Sequence, residues 1–134
     1  MSFRYTMQTH DKAWKSNPKN HAFISSFIHL SYPALEKYQI KKVLDAACGN
    51  GLGVTLPLLK KGFEVECFDH LQSAIDAVKQ NAKDEGFKVR AKKANLYKRW
   101  PYSDNRFDAT TCFQAMYHGR LEDIMNVFSQ IKRV

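Results

Sequence analysis

Two acids and one glycine-rich turn are the residues of this chain whose types and spacing could do chemistry. The apolar pair Val43-Leu44 runs into Asp45, and Ala46-Ala47-Cys48-Gly49-Asn50-Gly51-Leu52-Gly53 follows at once. A parallel strand that ends in such a turn presents a ligand-binding loop in a doubly wound α/β fold. Gly49 and Gly51 permit positive φ and let the backbone approach a ligand closely. A dinucleotide fingerprint, G-x-G-x-x-G, would place its third glycine at position 54. Val54 stands there and Gly53 comes one residue early, which speaks against a nicotinamide-type oxidoreductase. A pyrophosphate needs bare backbone N–H groups at a helix N-terminus, whereas Asp45 suits a cationic, amino-acid-like moiety. The second acid, Asp69, stands twenty residues after Gly49 at the end of another apolar run. At that place a carboxylate accepts hydrogen bonds from ribose hydroxyls. Asp69 could also cap a helix starting at His70; the two roles are compatible, and ribose binding is favoured.

These residues need elements to hold them. Lys42 to Ala46 reads as strand one, Leu52 to Lys61 as a helix with Pro57 near its first turn, and Gly62 as its stop. Glu64 to Phe68 alternates as strand two. His70 to Glu85 carries Leu71, Ala74, Ile75 and Val78 at helical spacing, and Gly86 ends it. Lys88 to Lys92 is expected as strand three and Asp108 to Phe113 as strand four. Leu121 to Val134 has the pattern of an amphipathic helix. Upstream, residues 18–30 are expected to be helical, Pro33 to interrupt, and Ala34 to Tyr38 to form another turn or two. Strands alternating with helical stretches predict βαβ units, a mainly parallel sheet and helices on both faces.

The bulk properties bound the function. The 134 residues suit one domain, and no run approaches the roughly 18 apolar residues of a membrane span. Met1 to Thr6 lacks the apolar core of a signal peptide, so the expected location is cytoplasmic. Cys48, Cys67 and Cys112 show neither metal-ligand nor disulfide spacing and read as packing residues; no metal is expected. The net charge of +8 divides unevenly, with residues 1–42 and 87–134 basic and residues 43–86 acidic. Such a balance is compatible with RNA or an anionic substrate, although no basic run is interleaved with aromatics.

From Lys42 to Val134 the chain resembles the class I S-adenosylmethionine (SAM)-dependent methyltransferases, in the branch acting mostly on small molecules, with relatives acting on RNA. Val43 to Gly53 matches their first motif, with Ala47 where many members have glycine. Asp69 matches the ribose-binding acid, and His70 and Leu71 lie where the family packs against adenine. Ala94-Asn95-Leu96 falls where members have an acid on the adenine amino group; the Asn95 oxygen can accept from that amine. Trp100 to Asp108 resembles the proline-containing loop before strand four. Gln114-Ala115-Met116-Tyr117-His118 resembles the segment flanking the methyl donor, and Ile131 to Val134 the end of the helix before strand five. The resemblance implies Asp45, Ala47, Gly49, Asn50, Gly51, Asp69, His70, Asn95, Leu96 and Gln114 around SAM, and a small-molecule acceptor. His118 and Tyr117 are candidates for a general base, with surface or packing roles as the alternative. The Asn/Asp-Pro-Pro-aromatic motif of base-amine methyltransferases is absent, as is a cysteine nucleophile motif for cytosine chemistry.

The resemblance also implies a sheet order of 3-2-1-4 carried on to seven strands, of which the chain supplies about four. It is therefore expected to be C-terminally truncated: an N-terminal helical lid or cap over residues 1–40, with His10 and Trp14 as lid candidates, and a Rossmann-like domain over 41–134. Strand four would then be an apolar edge open to pairing. A non-catalytic SAM-fold fragment or interaction module is the alternative function.

Overall fold

The structure, a computed structural model, describes residues 21–134, with side chains from residue 27 onward. His10 and Trp14 lie outside the described residues. The elements are α1 (His21–Lys37), β1 (Lys42–Ala46), α2 (Thr55–Lys60), β2 (Glu64–Asp69), α3 (Gln72–Asp84), β3 (Arg90–Lys93), β4 (Ala109–Thr111), a 3-10 turn (Met116–His118) and α4 (Leu121–Arg133). The four strands form one parallel sheet in the order β3-β2-β1-β4. β1 runs one way into β2 and β3, and β4 adds on its other side. The topological switch point therefore falls between β1 and β4, where ligands sit in open α/β sheets.

Side chains alternate across the central strands and build two cores. Val43 and Val65 face one side, packed with Ile28, Tyr32 and Leu35 of α1 and with Leu56, Leu58 and Leu59 of α2. Leu44, Ala46 and Phe68 face the other, with Leu96, Trp100, Tyr102, Val127 and Val134. Trp100 is 1% exposed; its indole lies 5.0 Å from the Phe68 ring and its Nε1 donates to the Leu96 carbonyl at 2.9 Å. At the amino end of the sheet, Asp108 Oδ2 accepts from the N–H groups of Lys41 (2.9 Å) and Lys42 (2.8 Å), pinning the start of β1 to the approach to β4.

Several boundaries depart from the sequence reading, each for a local reason. Pro33 does not break the first helix, which runs unbroken from His21 to Lys37. An interior proline costs about 3 kcal/mol. Burying Ile28, Tyr32 and Leu35 on either side of it contributes roughly 1.5–3 kcal/mol for each large apolar side chain, which outweighs that cost. The expected helix from Leu52 begins only at Thr55, because residues 48–54 are used in turns: Gly51 N–H donates to the Cys48 carbonyl and Leu52 N–H to Asn50 Oδ1, both at 3.0 Å. Pro57 then falls in the first turn, where its missing N–H has no helical partner to lose. The helix expected from His70 starts at Gln72, since Asp69 and His70 belong to the strand end and its turn. β3 and β4 are shorter than expected. β3 is a charged edge, Arg90-Ala91-Lys92-Lys93, of the kind that discourages edge-to-edge pairing. β4 pairs with β1 alone among the described residues.

Candidate functional site

The loops leaving the carboxyl ends of the four strands carry nearly all the residues singled out in the sequence. Asp69 ties the first two together: its Oδ2 accepts from Gly49 N–H at 3.0 Å, and its Oδ1 accepts from Leu71 N–H at 3.0 Å. His70 Nδ1 lies 3.3 Å from Oδ1. Burial of Asp69 would raise its pKa, but the His70 imidazole and the N–H groups of Leu71 and Gly49 outweigh it and hold the carboxyl below its ordinary value. An ionised carboxylate offers about four acceptor positions. Three are taken, so one remains for a hydroxyl, and a vicinal diol needs the long His70 contact to yield. Asp69 does not itself occupy the N-cap of α3; Leu71 does, without a side-chain hydrogen bond.

The glycine loop owes its shape to backbone signs as much as to size. Ala47, Gly49 and Gly51 have φ of 60°, 55° and 77°. At Gly51 an added Cβ would overlap Val78 Cγ2 of α3 and come within 3.3 Å of Leu56 and Thr55, so only glycine lets the loop lie this close to the helix. Asn50 is 7% exposed; its Oδ1 is taken by Leu52 N–H and its carbonyl accepts from Asn81 Nδ2 at 3.0 Å. Both bonds hold the shape of the loop. Ala47 sits at a positive φ, the conformation that glycine adopts most readily. The left-handed conformation costs a non-glycine residue roughly 1–2 kcal/mol, and glycine's own entropy returns about half of that. Ala47→Gly is therefore expected to stabilise the chain by about 0.5–1 kcal/mol in urea unfolding; an unchanged or lower midpoint would show that the strain is not there.

Asp45 is placed differently from its sequence reading. It is 2% exposed, with Oδ2 accepting from Thr55 Oγ1 at 2.6 Å and Oδ1 from Thr111 Oγ1 at 3.0 Å. Burial raises its pKa from 3.8 to about 6, with Asp69 adding to the rise and the two threonine hydroxyls opposing it. A direct contact with an ammonium group is not built here. Asp45 instead ties β4 and α2 to the strand that carries the loop. Thr55, Thr111 and Asn81 were missed from sequence, because each bonds a partner ten or more residues away and none lies in a motif.

On the far side, Asn95 is exposed and its Oδ1 accepts from Tyr97 N–H at 2.8 Å, while Ala94 N–H donates to the Asp69 carbonyl at 2.9 Å. Asn95 thus lies beside the end of β2. Leu96 is 8% exposed and its side chain packs with Trp100 and Phe68, so only its backbone is available to a ligand. Gln114 is exposed with φ of 51°. Residues of positive φ other than glycine thus flank the switch point on both sides, Ala47 after β1 and Gln114 after β4; such outliers concentrate at functional sites. Tyr117 and His118 follow on the 3-10 turn, both exposed, with ring centroids 4.3 Å apart. The cysteines are not poised for chemistry. Cys67 is fully buried, burial pushes the Cys112 thiol up to about 12, and the neighbouring Cys67 together with burial raises Cys48 well above 9. Among the described residues no group of acids, histidines and cysteines could hold a metal ion, and no helix is long and apolar enough to cross a membrane.

Known proteins are similar to this chain in sequence and in fold. The ubiquinone biosynthesis O-methyltransferase of Rickettsia felis is 31% identical over 118 residues, covering 87% of this chain and 46% of its own. The chain thus spans about half the length of the curated relatives it matches. A solved protein of Pyrococcus horikoshii OT3 is 31% identical with a TM-score of 0.70, over 81% of this chain and 51% of that one. A putative S-adenosyl-L-methionine-dependent methyltransferase of Methanococcus maripaludis superposes with a TM-score of 0.73 over 99% of this chain and 62% of its own; at 15% identity it speaks for the fold alone. The profile of the methyltransferase domain family matches residues 43–134. The chain belongs to that methyltransferase domain family, and its parallel 3-2-1-4 sheet is the Rossmann-like architecture of the SAM-dependent class.

Proposed function

We propose that the chain binds SAM across the carboxyl ends of β1, β2 and β3 and forms the cofactor-binding part of an enzyme that methylates a small molecule. The observation that carries the reading is the 3.0 Å hydrogen bond from Gly49 N–H to Asp69 Oδ2. It sets the close-approach loop and the ribose acid as one unit, with Asn95 beside them for the adenine amine. Bound there, SAM supplies a methyl group activated by its sulfonium. The residues of the chain align and enclose: Asp69 accepts from the ribose, the backbone of residues 47–51 lines the amino-acid end, and Gln114 borders the side facing β4. Alignment of this kind is the main requirement of an in-line displacement and is worth several kcal/mol. The named relatives act in ubiquinone biosynthesis as O-methyltransferases, which supports a hydroxyl acceptor. Tyr117 and His118, exposed on the turn after β4, are the candidates to take its proton.

Titration calorimetry with SAM and S-adenosylhomocysteine tests the reading. Both are expected to bind the wild-type chain. A hydrogen bond to a charged group is worth about 1.5–3 kcal/mol, so Asp69→Ala should weaken binding roughly 30-fold. Absence of binding, or an affinity untouched by Asp69→Ala, would sink the proposal.

A further inference from the structure

The turn that carries Tyr117 and His118 is poorly held by its own backbone. Gln114, just before it, is in the left-handed region with φ of 51°. The internal bonds of the turn are long: His118 N–H reaches the Ala115 carbonyl at 3.5 Å and Gly119 N–H the Met116 carbonyl at 3.3 Å. No side chain of Met116–His118 is buried. The inner side of the turn is held by Ala115 and Met116, which are partly buried against the core beneath; the long backbone bonds leave the peptide groups of the turn dependent on outside hydrogen bonds.

Its anchor comes from another loop. The Tyr97 hydroxyl lies 3.2 Å from the Ala115 carbonyl oxygen and 3.4 Å from that of Met116, and its single proton is shared between the two. The Tyr97 ring lies close against the end of the turn: a Cβ on Gly119 would come within 2.6 Å of Tyr97 Cε1 and 2.9 Å of Asp123 Cβ of α4, so residue 119 has room only for hydrogen. Tyr97 is in turn fixed from two sides. Asn126 Nδ2 of α4 donates to its carbonyl at 3.0 Å, and its N–H donates to Asn95 Oδ1 at 2.8 Å. One residue therefore touches both the loop assigned above to adenine and the turn assigned to the acceptor.

We propose that Tyr97 is a positioning residue that couples occupancy of the Asn95 loop to the geometry of the Ala115–Gly119 turn. The inference rests on the cofactor reading above. When the adenine amine donates to Asn95, that side chain loses freedom. The turn it forms with Tyr97 N–H stiffens, and the phenol holds the two carbonyls of the acceptor-side turn in one place. Cofactor binding then orders the acceptor side before an acceptor arrives. No side chain of the coupling path has to touch the reacting atoms.

The test is amide hydrogen exchange on the full chain, read at His118 and Gly119 with and without saturating S-adenosylhomocysteine, alongside calorimetry. In the wild type the ligand should slow exchange at these two amides as well as at residues 95–97. Tyr97→Phe keeps the ring and removes only the hydroxyl. It should bind the ligand within about threefold of wild type and keep protection at 95–97. Its ligand-induced protection at His118 and Gly119 should fall roughly fivefold, the scale of one neutral hydrogen bond. Gly119→Ala, whose methyl group would press on the Tyr97 ring and on Asp123 Cβ of α4, should lose the same protection. A tyrosine that only stabilises the fold would speed exchange in the free protein and leave the ligand-induced factor unchanged in Tyr97→Phe; that result overturns the proposal. So does a wild-type chain that binds S-adenosylhomocysteine without slowing His118 and Gly119. A wild-type chain that does not bind it at all overturns the cofactor reading itself and this inference with it.

Discussion

Gly51→Ala is expected to abolish measurable SAM binding and to cost about 3 kcal/mol of stability, the sum of overpacking and a left-handed alanine. Two independent causes act at this position. The backbone has φ of 77°, and the new methyl group would overlap Val78 Cγ2 of α3 while crowding Leu56 and Thr55. Val78 and Thr55 are fully buried and Leu56 nearly so, so none of the three can swing aside. Relief has to come from the loop, which lifts away from α3. That movement breaks the Asn81 Nδ2 bond to the Asn50 carbonyl and drags Gly49 N–H off Asp69. The double variant Gly51→Ala/Val78→Ala separates the causes. Removing the valine methyl groups should recover the steric part of the loss, so the cycle should show a coupling of at least about 1 kcal/mol. Strictly additive losses would mean that the close approach of loop and helix does not decide the choice of glycine.

Asp45→Asn should make the chain more stable at neutral pH, by about 2–3 kcal/mol, and flatten part of its pH dependence. In the unfolded chain the carboxyl ionises near 3.8, and in the folded chain burial holds it up to about 6. The folded state therefore keeps a proton that the unfolded state releases. The stability tied to that proton is fully present below about pH 4 and is lost as pH rises through 6, amounting to roughly 3 kcal/mol. Asparagine is similar in shape and carries no charge to desolvate, with its oxygen still able to accept from Thr111. Asp69 works in the opposite direction, because its lowered pKa contributes stability that is lost only as pH falls below the ordinary carboxylate range. The useful quantity is therefore the difference between wild type and Asp45→Asn in urea unfolding at pH 4, 6 and 8. It should grow across that series. A difference that stays constant would show that Asp45 is not a buried carboxylate of raised pKa.

Much of the fold was legible along the chain because its signals are local. β1 was placed residue for residue, since the apolar run and the glycine turn both depend on near neighbours. The handover from β2 to α3 followed from alternation giving way to helical spacing, and Gly62 and Gly86 mark helix ends with φ of 93° and 82°. The unbroken α1 was not legible. Pro33 is a strong local signal, and it was overruled by a core formed with residues from β1, α2 and β2. Trp100 gave no sequence cue to its role under Phe68, because a loop residue shows no periodicity to betray burial.

The candidate site divides along the same line. By itself the sequence determined which ligand chemistry to consider: Asp45, the spacing of Gly49 and Gly51, and Asp69 twenty residues on are patterns of turn geometry and strand ends, which sequence encodes directly. Only the tertiary structure decided what each acid does. Asp69 meets Gly49 N–H across the loop and Leu71 N–H in its own turn, which joins the two loops. Asp45 is closed off by Thr55 and by Thr111, the latter sixty-six residues away, and becomes part of the frame. Tyr97 carried no motif at all. Its importance comes from two loops that the parallel sheet brings side by side, and the function of a hydroxyl that bridges two loops cannot be read until the sheet has placed them.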